Sequence, residues 1–116
     1  MQIPLINLKR QYQALQPEIE SAVHTVLASG SYIMGVNVKG FEKEFADYIG
    51  VKHAIAVGNG TDALMITLQA LGIGSGDEVI TSSFTFFSTA ESISAVGATP
   101  VFVDVRPDTF NIDENR

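Results

Sequence analysis

Val57-Gly58-Asn59-Gly60-Thr61-Asp62-Ala63-Leu64 decides how this chain is read. Ala54 to Val57, leading into it, is short and apolar enough for a strand, and Thr61 to Leu71, leaving it, has the length and apolar character of a helix. A glycine-rich turn between a strand and a helix opens a βαβ unit. Free N–H groups at a helix start, backed by the positive end of the macrodipole, favour an anion. Gly60 would let that anion approach the main chain, and Thr61 adds a hydroxyl donor. The same residues also suit a tight turn with an N-cap that binds nothing, and the local pattern names no ligand.

Working downstream, Glu78 to Thr81 reads as a strand, Phe86 to Val96 as a helix and Pro100 to Val103 as a strand. The order is βαβαβ. Gly72, Gly74, Ser75, Gly76 and Asp77 punctuate one connection, and Gly97 to Pro100 the other. Strands that are apolar throughout, with right-handed crossovers, imply a parallel sheet covered by helices on both faces. Upstream, residues 1–4 read as an extended start ended by Pro4. Tyr12, Leu15, Ile19, Val23, Val26 and Leu27 then recur at helical spacing between Gln11 and Ala28. Pro17, Glu18 and Glu20 suit the first turn of a helix starting near Gln16. Ser31 to Gly40 reads as a loop, and Phe41, Phe45, Tyr48 and Ile49 mark a second helix closed by Gly50. The expected division is a helical segment, 1–52, followed by the start of an α/β domain, 53–116. Three parallel strands leave both sheet edges open, and Val105 to Arg116 reads as a loop into a further element, so the chain is expected to be part of a longer one.

The 116 residues are 46% apolar, enough for a core. Thirteen acids against seven bases, a formal charge of −6, make nucleic acid and membrane surfaces poor partners. The absence of cysteine removes disulfides, thiolate metal sites and cysteine nucleophiles. The N-terminus lacks the order of a signal peptide, and the expected location is the cytoplasm. His24 and His53 form no metal pair with a neighbouring acid motif, so no metal site is expected.

Gly58 to Ala63 also fits the dinucleotide fingerprint, with Asp77 and Glu78 near the spacing of a ribose-binding acid. This makes a nicotinamide-dependent oxidoreductase the rival reading, with a non-catalytic phosphate-binding module behind it. Position argues against the first. The ribose acid belongs at the carboxyl end of the second strand, whereas Asp77 and Glu78 precede or open that strand. The carboxyl end of the second strand leads instead into Ser82-Ser83-Phe84-Thr85-Phe86-Phe87-Ser88-Thr89, aromatic and hydroxylic, which suits a flat ring and its phosphate. The competing reading of Phe84, Phe86 and Phe87 is that they are ordinary core residues.

Gly58 to Leu64, Gly76 to Thr81, Phe84 to Thr89 and Gly97-Ala98-Thr99-Pro100-Val101-Phe102-Val103-Asp104-Val105 resemble the DegT/DnrJ/EryC1/StrS family of pyridoxal-phosphate-dependent aminotransferases. Ile3 to Leu8, Ser29 to Gly35 and Phe41 to Ala46 resemble its N-terminal region. The resemblance implies the N-terminal portion of a fold-type I transferase that works as a homodimer with shared active sites. It implies pyridoxal 5'-phosphate as cofactor, a nucleotide-linked keto-sugar as acceptor and glutamate or glutamine as donor, in polysaccharide or antibiotic sugar biosynthesis. On this resemblance Gly60, Thr61 and Asp62 hold the cofactor phosphate, Phe86 stacks on the pyridine ring, and Tyr32 lies toward the sugar. The family's Schiff-base lysine comes later in sequence. Lys9, Lys39, Lys43 and Lys52 read as surface residues, so no catalytic residue is expected in this chain. Relatives that replace that lysine dehydrate sugars, which keeps a dehydratase as an alternative.

Overall fold

The computed structural model describes residues 4–114, so the expected extended start before Pro4 and the last two residues of the expected C-terminal loop lie outside the described residues. The elements run α1 (Leu8–Ser29), α2 (Val36–Ile49), α3 (Gly60–Ala70), β1 (Glu78–Ser82), α4 (Ser88–Ala95) and β2 (Thr99–Val103). They fall into two compact units, Met1–Ala56 and Val57–Arg116. No helix among the described residues is long and apolar enough to cross a membrane.

In the first unit, α1 opens on Asn7, whose Oδ1 accepts the Arg10 N–H at 3.0 Å, and closes on Gly30 at φ 64°. The helix therefore begins well before Gln16. Pro17 lies in its interior, where a proline ordinarily costs about 3 kcal/mol by removing a donor and crowding the preceding turn. The polar cap at Asn7 explains the earlier start. Glu20 bridges the proline, its Oε1 accepting from the Tyr12 hydroxyl at 2.7 Å and from Gln16 Nε2 at 2.8 Å. Those bonds, Tyr12 foremost, hold the Glu20 carboxyl below its ordinary value of 4.5 and push the Tyr12 phenol above 10.0. A depressed carboxyl adds stability above pH 4.5 that is lost as pH falls through its folded value; a raised phenol adds stability below pH 10.0 that is lost as pH rises through its own. Acidification below pH 4.5 is thus expected to lower helix content in far-ultraviolet circular dichroism, with a component that Tyr12→Phe largely removes. Superimposable acid titrations of the two proteins would show that the Tyr12–Glu20 bond adds nothing.

The second helix also starts early. The expected loop over Ser31 to Gly40 ends at Gly35, which serves as N-cap, and the next turn is already helical. A Cβ at Gly35 would sit 2.8 Å from the Ser31 carbonyl oxygen, so only glycine permits this close return. Val36, Val38 and Gly40 are weak helix formers, which is why the pattern understates that turn. At the other end Gly50 caps as expected, with φ 78° and its N–H donating to the Ala46 carbonyl at 2.9 Å. The Glu42 carboxylate then accepts the Ala56 N–H at 2.8 Å and ties the outgoing chain to α2.

The second unit is a βαβ unit preceded by α3. β1 and β2 pair in parallel, Glu78 opposite Thr99 through Ser82 opposite Val103. Residues 54–57, expected as a further strand, join no ladder, and the sheet among the described residues has two strands. Strand character needs a neighbouring strand, and the Ala56 amide goes instead to a side chain. α4 starts at Ser88, with Phe87 as its cap, so Phe86 stands in the turn ahead of the helix rather than within it. α4 packs against both strands and α3 packs against α4. The buried apolar side chains among the described residues are Ala46, Ile93 and Ala98.

Residues 71–77 return the chain from the end of α3 to the start of β1, and Leu64 near the start of α3 lines one cavity with Thr81 near the end of β1, so these two ends share one edge of the unit. Ser92 registers this arrangement. It is wholly buried, its Oγ donating to the Ser88 carbonyl at 2.6 Å and lying 3.5 Å from the Thr61 carbonyl, which draws α4 onto the first turn of α3.

Candidate functional site

The turn into α3 is held by a reciprocal clamp. Asn59 Oδ1 accepts the Asp62 N–H at 2.9 Å, and Asn59 Nδ2 donates to Asp62 Oδ2 at 3.0 Å. The Asn59 carbonyl takes the Ala63 N–H at 3.1 Å. Helix starts leave their first amides without internal acceptors, and here the cap satisfies the third residue, not the first two. Among the described residues, the N–H groups of Gly60 and Thr61 have no acceptor within the chain. Of the three residues expected at a phosphate, Asp62 therefore has its amide engaged, and its carboxylate lies back over Gly58, where a Cβ would come within 2.6 Å of Oδ2.

Gly60 differs from Gly58. A Cβ built on it meets nothing within 4 Å, and its φ is not in the left-handed region, so neither local packing nor backbone conformation demands glycine there. An open approach before two free amides at a helix start is the shape of an anion site, and it fits a phosphate ester.

The turn after β1 reaches the same edge. Within this chain Phe84, Phe86 and Phe87 are 69%, 78% and 74% exposed. Their surroundings separate them. Phe84 meets the ring of Phe110 at a centroid distance of 5.8 Å. Phe87 lines a shallow cleft with Ala90, Glu91, Ser94 and Ala95. No aromatic ring meets Phe86 among the described residues. Its backbone is nevertheless fixed, because its carbonyl accepts the Thr89 N–H at 3.1 Å.

Tyr32 belongs to the first unit. Its hydroxyl donates to the Leu27 carbonyl at 3.1 Å, which caps the end of α1 and leaves the ring 63% exposed. Lys9, Lys39, Lys43 and Lys52 are not buried. Asp77, the acid a dinucleotide site would use, is consumed at the opposite edge. Its Oδ2 accepts the Gly74 N–H at 2.9 Å and its carbonyl accepts from Thr99, closing the turn that opens β1.

Two residues carry more of the site than sequence reasoning assigned them. Asn59 was readable as the cap from its place before Gly60, and it determines which amides stay free. Ser92 gave no signal beyond small size in a helix. Because it is completely buried between α3 and α4, Ser92→Leu is expected to lower unfolding stability by about 1–3 kcal/mol through overpacking, measured as a lower urea midpoint. A midpoint unchanged by the substitution would mean that the two helices part without cost.

The model of the DegT/DnrJ/EryC1/StrS aminotransferase family matches residues 13–116. A pleiotropic regulatory protein of Geobacillus stearothermophilus is 52% identical over 113 residues, covering 97% of this chain and 30% of that protein. The UDP-2-acetamido-2-deoxy-3-oxo-D-glucuronate aminotransferase of Pseudomonas aeruginosa is 46% identical over 111 residues, 96% of this chain and 31% of that enzyme. The crystal structure of NtdA from Bacillus subtilis with bound cofactor PMP superposes with a TM-score of 0.92 at 34% identity, over 99% of this chain and 27% of that one. The chain thus spans about 30% of the length of the curated relatives it matches. With an α/β architecture shared with solved aminotransferases and a family match over all but its first residues, the chain belongs to the DegT/DnrJ/EryC1/StrS aminotransferase family.

Proposed function

We propose that this chain supplies the phosphate cradle and the ring platform of a pyridoxal-phosphate-dependent aminotransferase. Its acceptor is a nucleotide-linked keto-sugar and its donor glutamate or glutamine. The observation that carries this reading is the pair of unpaired amides at Gly60 and Thr61, open to solvent at the sheet edge that also presents Phe86. The bound cofactor PMP in NtdA and the sugar-nucleotide name of the Pseudomonas relative support it.

In this reading each group has a task of its own. The Gly60 and Thr61 N–H groups donate to phosphoryl oxygens, the Thr61 hydroxyl adds a third donor, and the α3 dipole favours the dianion. Asn59 and Asp62 hold those amides at their spacing, with Asp62 as a brace instead of a donor. Phe86 covers one face of the pyridine ring and keeps water from it. When bound, pyridoxal phosphate supplies an electron sink for negative charge on the carbon that loses a proton. Tyr32, with its ring exposed, remains the residue proposed to approach the sugar. The protein functions as a homodimer in the cytoplasm on this reading. Apolar residues left largely in solvent on α1, Val23 and Leu27 among them, are consistent with assembly onto further polypeptide.

The test is made on the full-length protein purified without added cofactor. A yellow protein, bleached by borohydride, that moves nitrogen from glutamate or glutamine to a nucleotide keto-sugar bears the proposal out. A colourless protein that binds NADH overturns it.

A further inference from the structure

We infer that Phe110 is a positioning residue for the coenzyme ring: it pins Phe84 and so fixes the turn that presents Phe86. The inference rests on the reading given under Proposed function and adds a residue remote in sequence from both parts of that site.

After β2 the chain closes a small hairpin. Val105 bridges Ile112 in antiparallel fashion, the Arg106 N–H donates to the Asn111 carbonyl at 2.9 Å, and the Asp113 N–H donates to the Asp104 carbonyl at 2.9 Å. The Arg106 guanidinium grips Asp108 with Nε at 3.2 Å and Nη2 at 3.0 Å. Near the tip, Phe110 adopts φ 59°, the left-handed region that glycine and asparagine enter readily and a phenylalanine rarely does. The Phe110 N–H donates to the Arg106 carbonyl at 2.9 Å, which holds the residue in that conformation. An aromatic side chain in so unfavourable a backbone needs a compensating contact. The ring of Phe110 finds one on Phe84, at a centroid distance of 5.8 Å and an interplanar angle of 31°.

Phe84 stands two residues ahead of Phe86. Its N–H is held by Ser82 Oγ at 2.9 Å, and the neighbouring Ser83 N–H reaches the Val103 carbonyl at 3.4 Å. The turn is thus tied to the end of β2 by its backbone and to the hairpin beyond β2 by a ring. On the far side of Phe86, Thr89 holds the Phe86 carbonyl and approaches Thr85, the two hydroxyls lying 3.3 Å apart. Both flanks of Phe86 are anchored, while its own ring, 78% exposed, meets no other aromatic ring among the described residues.

The experiment uses the full-length protein with Phe110→Asn, which tolerates the left-handed backbone but lacks the ring, and Phe110→Tyr, which keeps the ring. Phe84→Leu removes the same contact without touching the strained position and serves if Phe110→Asn does not fold. In the apoprotein, amide hydrogen exchange over residues 83–88 is expected to quicken about tenfold in Phe110→Asn and Phe84→Leu, with α3 protection unchanged. The dissociation constant for pyridoxal 5'-phosphate is expected to rise about fivefold in both, with no further rise in the double variant, while Phe110→Tyr matches the parent. Unchanged exchange over residues 83–88, or unchanged coenzyme affinity in a parent that does bind it, overturns the positioning role alone. A parent that binds no pyridoxal phosphate overturns the site reading, and the positioning role with it.

Discussion

Gly60→Val is expected to weaken pyridoxal phosphate binding by about 100-fold while leaving the apoprotein's thermal unfolding unchanged. The loss comes from two charge-assisted hydrogen bonds, at about 1.5 kcal/mol each, with tenfold in affinity for every 1.4 kcal/mol. Stability is spared because the space in front of Gly60 holds no atom within 4 Å and its backbone is not left-handed. The valine methyls would fill the approach to the Gly60 and Thr61 amides and displace a phosphate by their bulk. Few substitutions separate ligand from fold so cleanly, since most glycines in tight turns are needed by the turn itself. Gly60→Ala, with a single carbon in the same opening, is expected to fall between the parent and the valine variant. Titration of the apoprotein with pyridoxal 5'-phosphate, followed by visible absorbance, gives the constants. An undiminished affinity in Gly60→Val would put the phosphate somewhere other than the start of α3.

Phe86→Ala is expected to weaken coenzyme affinity about tenfold, the worth of roughly 1.5 kcal/mol of aromatic stacking, and to diminish the coenzyme's visible circular dichroism. The dichroic band reports the asymmetric field around the ring, so it responds to the loss of one face even when the phosphate remains bound. Phe86→Tyr, which preserves the face, is expected to retain both affinity and band. With its side chain 78% exposed, Phe86 contributes little to the folded apoprotein, and removing it should shift stability by no more than about 0.5 kcal/mol. Phe87→Ala is the control. Phe87 lies beside α4 with Ala90 and Ser94, and its removal should leave the dichroic band in place. If Phe87→Ala erased the band and Phe86→Ala preserved it, the two phenylalanines would have to exchange roles.

Much of this architecture could be read from residue order. The two N-terminal helices, the glycine that ends the second and the glycine-rich start of α3 depend on interactions within about four residues, which apolar spacing exposes directly, while both strands of the sheet were legible as short apolar runs bounded by glycines. The same locality explains the misreadings. Pro17 argued for a helix start because proline is tolerated in a first turn, whereas the cap at Asn7 and the Tyr12–Glu20 bond carry α1 through it. Ala54 to Val57 has the composition of a strand, yet a strand exists only when it pairs with another, and among the described residues it pairs with none.

By itself the order of residues established that an anion-favouring turn leads into α3, that an aromatic cluster comes after β1, and that both belong to one α/β unit. Only the folded chain decided which members of those groups are free to act. Asp62 yields its amide to Asn59 and Phe84 yields its ring to Phe110, while among the described residues the Gly60 and Thr61 amides have no acceptor and the Phe86 ring meets no other aromatic ring. The reason is physical: composition says what a group is able to bond, but whether it is still available depends on which other group the returning chain brings within reach.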